Sequence, residues 1–313
     1  MRNLRTQEEI MATWQEDIDK PVVSICCITY NHEPYIEDAL KGFLIQETDF
    51  PYEILIHDDA SLHRTTKIIR EYESKYPKLI KPIYQVENQY SSGKRALQII
   101  TPHSKGKYIA FCEGDDYWAD PKKLQIQVDF LEKNPDYVIS GHDACIVDGV
   151  GNLLKESKLP QRHKRDYSPE DLQKGKAWIL TLSWVYRNVV KEYAPERLMV
   201  KNGDKFFTSV IGQYGMSHYH SEIQPAAYRA HGGGVWSSSS DVEKLHSLMF
   251  TYYWLSRYYS RKGDNWLKRY FWGLFIRKAI EATELSSLIK EVFIRLSFAR
   301  EIRFLVRRLL KRH

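Results

Sequence analysis

The stretch KYIAFCEGDD, residues 107–116, joins an apolar run to three carboxylates. Residues 107–112 have the length and composition of a buried strand, and Glu113, Asp115 and Asp116 follow it directly. Neighbouring carboxylates repel one another unless a cation lies between them, and Mg²⁺ and Mn²⁺ prefer oxygen ligands. The motif therefore indicates a metal and diphosphate site at the end of a strand. A solvated acidic turn is the alternative interpretation.

Strand and helix patterns alternate around this stretch. Strands are predicted at 22–29, 53–57, 80–86 and 107–112, with helices over 36–43, 66–76, 93–100 and 120–133. This alternation predicts an α/β fold with a mostly parallel, doubly wound sheet. Further strands are predicted at 138–147 and 181–186, and a further helix at 203–214.

Glycines at 232–234 and serines at 237–240 predict a boundary between a catalytic domain, 1–237, and a C-terminal helical region, 238–313, with breaks near Gly263 and Ser286. The formal net charge is +6, and residues 286–313 carry the whole excess on an amphipathic pattern. A basic amphipathic helix of this kind predicts binding to an anionic membrane surface. Packing on the catalytic domain and a contact in a homo-oligomer are the alternatives.

The four cysteines lack metal-ligand spacing, so free thiols in a reducing compartment are expected. Residues 1–20 are polar, and no stretch approaches the ~20 apolar residues of a membrane span. We expect a cytoplasmic protein, placed by its basic tail on the inner face of the cytoplasmic membrane. No nucleic acid partner is expected.

Two further predicted strands end in polar clusters. The carboxyl ends of parallel strands meet at one edge of a sheet, so these clusters should converge with the acidic motif. They could hold a nucleotide base and ribose, although an Asx turn would also explain the acids. The residues are Thr29, Tyr30, Asn31, Asp58, Asp59 and Ser61.

Three segments, VSICCITYN at 23–31, IHDDAS at 56–61 and EGDDYW at 113–118, resemble in order and spacing the family 2 glycosyltransferases. The resemblance covers roughly residues 20–236 and implies the GT-A fold and inverting transfer from a nucleotide-sugar, with UDP-sugar the first expectation. Glu113 stands where the family more often has aspartate, and His63 where many members have an acid.

The resemblance also implies roles for these residues. Thr29, Tyr30 and Asp59 would hold the base and ribose. Glu113, Asp115 and Asp116 would bind the ribose and a diphosphate bridged by Mn²⁺ or Mg²⁺. The acceptor would be a glycan or a lipid-linked sugar in bacterial surface polysaccharide synthesis.

Asp204, in NGDKFF at 202–207, resembles the family's catalytic base. Inverting transfer needs a carboxylate that takes the proton of the acceptor hydroxyl. The alternative is an acid that stabilises a helix N-terminus.

His231 resembles a histidine of the family that completes metal coordination, here with Asp115 and Asp116, or contacts the diphosphate. Arg229 could offset diphosphate charge. Gly93 and Lys94 could reach the donor from the loop after the third strand. An ordinary loop histidine is the alternative interpretation of His231.

Two other functions compete with glycosyl transfer. A sugar-phosphate nucleotidyltransferase would carry a Gly-rich basic loop after the first strand, where this chain has NHEP at 31–34. A non-catalytic membrane-associated scaffold would not be expected to keep both the acidic motif and Asp204.

Overall fold

The computed structural model describes residues 4–62, 64–191, 193–233 and 239–282. The chain divides into two compact units, the first formed by 1–199 and 203–238 and the second by 200–202 and 239–313. Each unit has its own packing.

A seven-stranded sheet forms the centre of the first unit, in the order β3-β2-β1-β4-β8-β5-β9. Strand β8 runs antiparallel to β4 and β5, while the other neighbours are parallel. The predicted α/β fold with a mostly parallel sheet is therefore confirmed. The strands are β1 Val23–Thr29, β2 Tyr52–Asp58, β3 Ile80–Tyr84, β4 Tyr108–Glu113, β5 Tyr137–His142, β8 Val185–Arg187 and β9 Met216–His220.

Helices cover both faces of this sheet because the strands are apolar on both sides. In β1, Ile25 packs in the core cluster that contains α2, α3 and α5, whereas Cys26 packs in the cluster that contains α4, α6 and α8. The helices are α1 Gln7–Met11, α2 Ile36–Leu44, α3 Thr65–Lys75, α4 Ala96–Ile100, α5 Lys123–Lys133, α6 Pro169–Gln173, α7 Pro195–Leu198 and α8 Gly203–Ile211.

A small second sheet positions the chain beside the acidic motif. It has the order β10-β6-β7, with β6 at Ala144–Val147, β7 at Leu153–Lys155 and β10 at Ala226–Arg229. Ala227 of β10 exchanges two backbone hydrogen bonds with Tyr117, at 2.8 and 3.2 Å. The segment that follows β4 is therefore joined directly to the strand that leads into His231.

Local polar contacts shift several predicted element boundaries. The strand predicted over 138–147 is two strands, broken at Asp143, whose carboxylate accepts the N–H groups of Ala144 and Leu159. The strand predicted over 181–186 begins only at β8, after a 3₁₀ turn. The helix predicted from Gly93 begins at α4, because Gly93 has φ +80° and forms a turn.

The second unit packs two helices, α9 Asp241–Arg261 and α10 Asn265–Ala282, against each other. Ser240 and Glu243 form a capping box at the start of α9. The two helices are separated at Gly263, the predicted break. In the described part of the chain, no helix has the length and apolar character of a membrane span. The basic segment 286–313 lies outside the described residues.

Candidate functional site at the sheet edge

The acidic motif packs directly on the end of β1. The N–H of Gly114 donates to the Ile28 carbonyl at 2.9 Å. A Cβ at position 114 would lie 2.9 Å from the Thr29 Cβ and 3.0 Å from Ile36 Cδ1. Only glycine fits this approach, so Gly114 fixes the height of the carboxylates above the strand ends.

The Asp115 carboxylate lies close to two imidazole rings. Its Oδ2 lies 2.9 Å from His231 Nε2 and 3.8 Å from His32 Nε2. The Tyr35 ring packs against the His231 ring, with 4.7 Å between the two ring centroids. Burial lowers the pKa of His32, and the Asp115 charge opposes that shift. His32 was not among the predicted site residues, because one imidazole in a turn has no pattern that distinguishes it.

Glu113 and Asp116 are carboxyl groups in a poorly solvated place. Burial, followed by the Asp115 charge, raises the pKa of Glu113 to about 7 and that of Asp116 well above its usual value. One Glu113 oxygen, Oε2, is buried and has no hydrogen-bond partner among the described residues. A cation at this place would favour the ionised form of these groups.

Lys158 places a positive charge near these two carboxyl groups. It was not among the site residues predicted from the sequence. Its charge is felt by Asp116 and Glu113, while its ammonium lies 3.4 Å from the centroid of the Tyr228 ring. Burial lowers the pKa of Lys158. A lysine between β7 and the next turn carries no motif that would reveal this role.

Arg229 is used inside the fold. Its side chain is 2% exposed, and it forms an ion pair with Asp38 at 2.7 Å. The guanidinium also donates to the carbonyls of Asp115 at 3.0 Å and Gly149 at 3.2 Å. Its backbone N–H donates to Asp116 Oδ1 at 2.8 Å. Arg229 thus fastens β10 to the acidic motif, and its contact with diphosphate stays a prediction.

Asp58 forms the Asx turn that was the alternative interpretation of this residue. Its carboxylate accepts the hydroxyls of Ser61 and Thr66, both at 2.5 Å, and closes the turn into α3. Ser61 also accepts the N–H of Asn31 at 2.9 Å, which ties the β1 and β2 loops together. Asn31 and Ala60 hold φ of +55° and +61°, a strained conformation that these contacts stabilise.

Asp59 organises the loop after β3. Its two oxygens accept the N–H groups of Gln89 at 2.7 Å and Tyr90 at 3.1 Å. Lys94 donates to the Gln89 side chain at 2.7 Å, and Gly93 is in the turn beside it. The structure therefore gathers these three predicted residues around one loop.

The remaining two β1 residues differ in exposure. Thr29 is 3% exposed, and its buried hydroxyl has no hydrogen-bond partner among the described residues. Tyr30 is 41% exposed, so its ring is accessible to a ligand.

Asp204 lies in the first turn of α8 and is exposed. After burial and the Asp115 charge, the charge of Asp204 makes a further small contribution to the raised pKa of Glu113. The next residue, Lys205, donates to the Gly175 carbonyl at 2.6 Å and anchors the helix start.

The donor set at Asp115 suits a divalent cation. Within the described ranges, no three His, Cys, Asp or Glu side chains form a group that could hold a metal by themselves. Asp115 and His231 offer one carboxylate and one imidazole, which fit Mn²⁺, and phosphate oxygens and waters commonly complete such sites. Asp116 as a direct ligand stays a prediction, because one of its oxygens accepts the Arg229 backbone.

Solved structures share this fold at low sequence identity. A Staphylococcus aureus TarS fragment in complex with UDP-GlcNAc has a TM-score of 0.53 at 20% identity, over 76% of this chain and 72% of that one. The mannosyltransferase PcManGT from Pyrobaculum calidifontis, in complex with GDP-Man and Mn²⁺, has a TM-score of 0.53 at 14% identity, over 93% and 87%. Both likenesses concern the fold.

The similarity to sequence relatives covers only part of each protein. The uncharacterized protein Rv1520 of Mycobacterium tuberculosis is 36% identical over 220 residues, 69% of this chain and 61% of that protein. The dTDP-rhamnosyl transferase RfbG of Shigella flexneri is 33% identical over 155 residues, 49% and 52%. The chain thus spans about three fifths of the length of the first of these relatives.

The family model for glycosyl transferase family 2 matches residues 24–190, more than half of the chain. This range contains β2, β4 and all of β1 except its first residue, together with the three polar strand ends. The family expected from the three motifs is confirmed: the chain belongs to glycosyl transferase family 2.

Proposed function

We propose that the protein is an inverting glycosyltransferase that moves a sugar from a UDP-sugar to a hydroxyl of a glycan or lipid-linked acceptor in bacterial surface polysaccharide synthesis. The observation that carries the proposal is the position of Asp115, held between His231 and His32 beside the buried Glu113. Family membership supplies the reaction class.

The ends of β1 and β2 would hold the nucleotide. Tyr30 offers an exposed ring for stacking on a base, and Thr29 offers a buried hydroxyl. Asp59 fixes the loop that would border the base. The UDP-GlcNAc complex of TarS supports UDP as the nucleotide, while PcManGT and RfbG make GDP- and dTDP-sugars the alternatives to test.

Asp115 and His231 would hold Mn²⁺ or Mg²⁺ against the diphosphate. Such an ion acts as a Lewis acid that stabilises the leaving nucleoside diphosphate. The Mn²⁺ in PcManGT supports this choice of ion. Arg229 and Asp116 would keep β10, and with it His231, in register with β4.

Asp204 would act as the general base. Its carboxylate takes the proton of the acceptor hydroxyl while that oxygen bonds to the sugar carbon and the carbon–oxygen bond to the diphosphate breaks. Attack from the face opposite the leaving group inverts the sugar carbon. The exposure of Asp204 leaves room for an acceptor, and its electrostatic coupling to Glu113 supports a place in the same site.

The test is a panel of UDP-, dTDP- and GDP-sugars assayed for release of the nucleoside diphosphate, with Mn²⁺ and with EDTA. We expect turnover of one donor that EDTA abolishes and that Asp115→Asn reduces at least tenfold. Asp129→Asn, a carboxylate of α5 on a different surface, is the matched control and should keep wild-type turnover. Equal turnover by Asp115→Asn and wild type would contradict the proposed donor site.

We further propose that the C-terminal region binds anionic membranes. The support is the basic sequence of 286–313 and the exposed face of α10, where Trp266, Trp272 and Ile276 are 56, 48 and 41% exposed. Truncation before Ser286 should abolish sedimentation with phosphatidylglycerol liposomes. Unchanged sedimentation would rule the idea out, and a dimer lost on truncation would favour the homo-oligomer instead.

A further inference from the structure

Trp178 is a large aromatic side chain that the fold leaves in water. It is 39% exposed, although its neighbours Ala177 and Leu180 are 6 and 4% exposed. The segment that carries it does not move freely, because Trp184 Nε1 donates to the Ile179 carbonyl at 3.1 Å. An exposed indole on a fixed backbone is a preorganised surface for a ligand.

The same backbone leads into the proposed active site. The side chain of Thr181 lies close enough to Glu113 to offset part of the rise in the pKa of that carboxyl group, a rise that burial dominates. On the other side of Trp178, the Gly175 carbonyl accepts the ammonium of Lys205, the residue after Asp204. Three residues span at most about 11 Å between Cα atoms, so Trp178 lies within that reach of both Thr181 and Gly175.

His163 extends the surface beside Trp178. The two ring centroids lie 5.4 Å apart at 73°, an edge-to-face contact. Arg162 Nε can only donate, so His163 Nε2 accepts from it at 3.2 Å and His163 Nδ1 donates to the Tyr167 hydroxyl at 2.6 Å. Burial and nearby cations lower the pKa of His163. The imidazole is therefore neutral and held in one orientation, and it packs beside the indole.

We propose that Trp178 and His163 form the acceptor platform, a subsite on which a sugar ring of the acceptor glycan stacks one or more units away from the reacting hydroxyl. An indole face suits the C–H face of a pyranose, and the exposed guanidinium of Arg162 adds donors for sugar hydroxyls. The inference rests on the proposed transfer to a glycan. It assigns the acceptor side of the site, for which the donor motifs carry no information.

The experiment measures transfer from the donor that the panel selects to methyl glycosides of cellobiose, lactose, chitobiose and mannobiose. Trp178→Ala should raise the KM for the accepted disaccharide about three- to tenfold, the size of one aromatic contact. Its kcat and its donor hydrolysis in water should stay at wild-type values. Trp178→Phe should restore most of the loss.

Tyr214→Ala is the matched control, because Tyr214 is a 51% exposed aromatic side chain that belongs to none of the proposed sites. It should leave the disaccharide KM unchanged. An unchanged KM in Trp178→Ala, with donor hydrolysis intact, would overturn the platform and leave the transferase assignment in place. A wild-type protein that hydrolyses and binds no donor would contradict the proposed function instead.

If the wild type uses none of these disaccharides as an acceptor, binding can be observed directly. The full chain labelled with 5-fluorotryptophan gives one ¹⁹F resonance that Trp178→Phe removes. We expect at least one of the four glycosides to shift that resonance and not the one assigned through Trp272→Phe. A Trp178 resonance that none of them moves would overturn the proposal.

Discussion

Replacing Arg229 with methionine distinguishes a fastening role from a role in binding diphosphate. The variant loses hydrogen bonds to the carbonyls of Asp115 and Gly149, each worth about 1 kcal/mol net. It also loses the ion pair with Asp38, a partly exposed carboxylate, which adds less than about 1 kcal/mol. We therefore expect about 2–3 kcal/mol of destabilisation, or a Tm lower by about 5–10 °C for a unit of this size.

The assay is urea and thermal unfolding, with binding of UDP and Mn²⁺ measured by calorimetry. Asp38→Asn is the control, because it weakens only the ion pair and should cost less than about 1 kcal/mol. An Arg229→Met protein that unfolds like the wild type, yet binds UDP at least tenfold more weakly, would refute the reasoning. That result would show that the guanidinium serves the donor.

Three further predictions follow from single contacts. Gly114→Ala should lower the unfolding free energy by about 1–3 kcal/mol, because the added Cβ would lie 2.9 Å from the Thr29 side chain. Gly273→Ala is the control and should not destabilise, because a Cβ there would meet open space. Equal urea midpoints for the two variants would contradict this prediction. Burial lowers the pKa of Lys123 to about 7, so the folded protein binds fewer protons than the unfolded chain from about pH 7 to 10, and stability rises there with pH. Relative to Lys123→Met, the wild type should gain about 2 kcal/mol of unfolding free energy from pH 7 to 9, and a constant difference would count against a buried neutral lysine. His231→Ala should raise the Mn²⁺ concentration for half-maximal donor hydrolysis at least about tenfold while metal-free UDP binding stays unchanged; an unaltered Mn²⁺ requirement would exclude His231 as a ligand.

The strands that build the sheet could be predicted because their signal is local. Residues 107–112 form a short apolar run, and the structure buries every residue of β4 from Tyr108 to Cys112. The acids that follow such runs then locate the sheet edge. Convergence of the β1, β2 and β4 ends needs only the rule that parallel strands share one carboxyl edge.

The contacts within the site could not be predicted, because they join distant parts of the chain. Arg229 pairs with Asp38, 191 residues earlier, and nothing near either residue shows the pairing. Asp58 and Asp59 are adjacent and chemically alike, but one closes a turn and the other holds a loop. Such a division depends on which backbone groups surround each carboxylate in the folded protein.

The proposed acceptor platform could not be predicted from the sequence for a similar reason. An exposed tryptophan and a core tryptophan look the same in a sequence: Trp178 is 39% exposed, whereas Trp118 and Trp184 are each 1% exposed. Trp118 and Trp184 pack in the two core clusters. Only burial separates the three.

The measurement that tests the central claim most directly compares Asp204→Asn with wild type in single turnovers, using the donor that the panel selects. Removing a general base should slow transfer about 10²- to 10⁴-fold, while the donor Kd stays within about twofold because Asp204 does not hold the nucleotide. Transfer at the wild-type rate, with normal donor binding, would contradict the assignment of Asp204 and the inverting mechanism built on it.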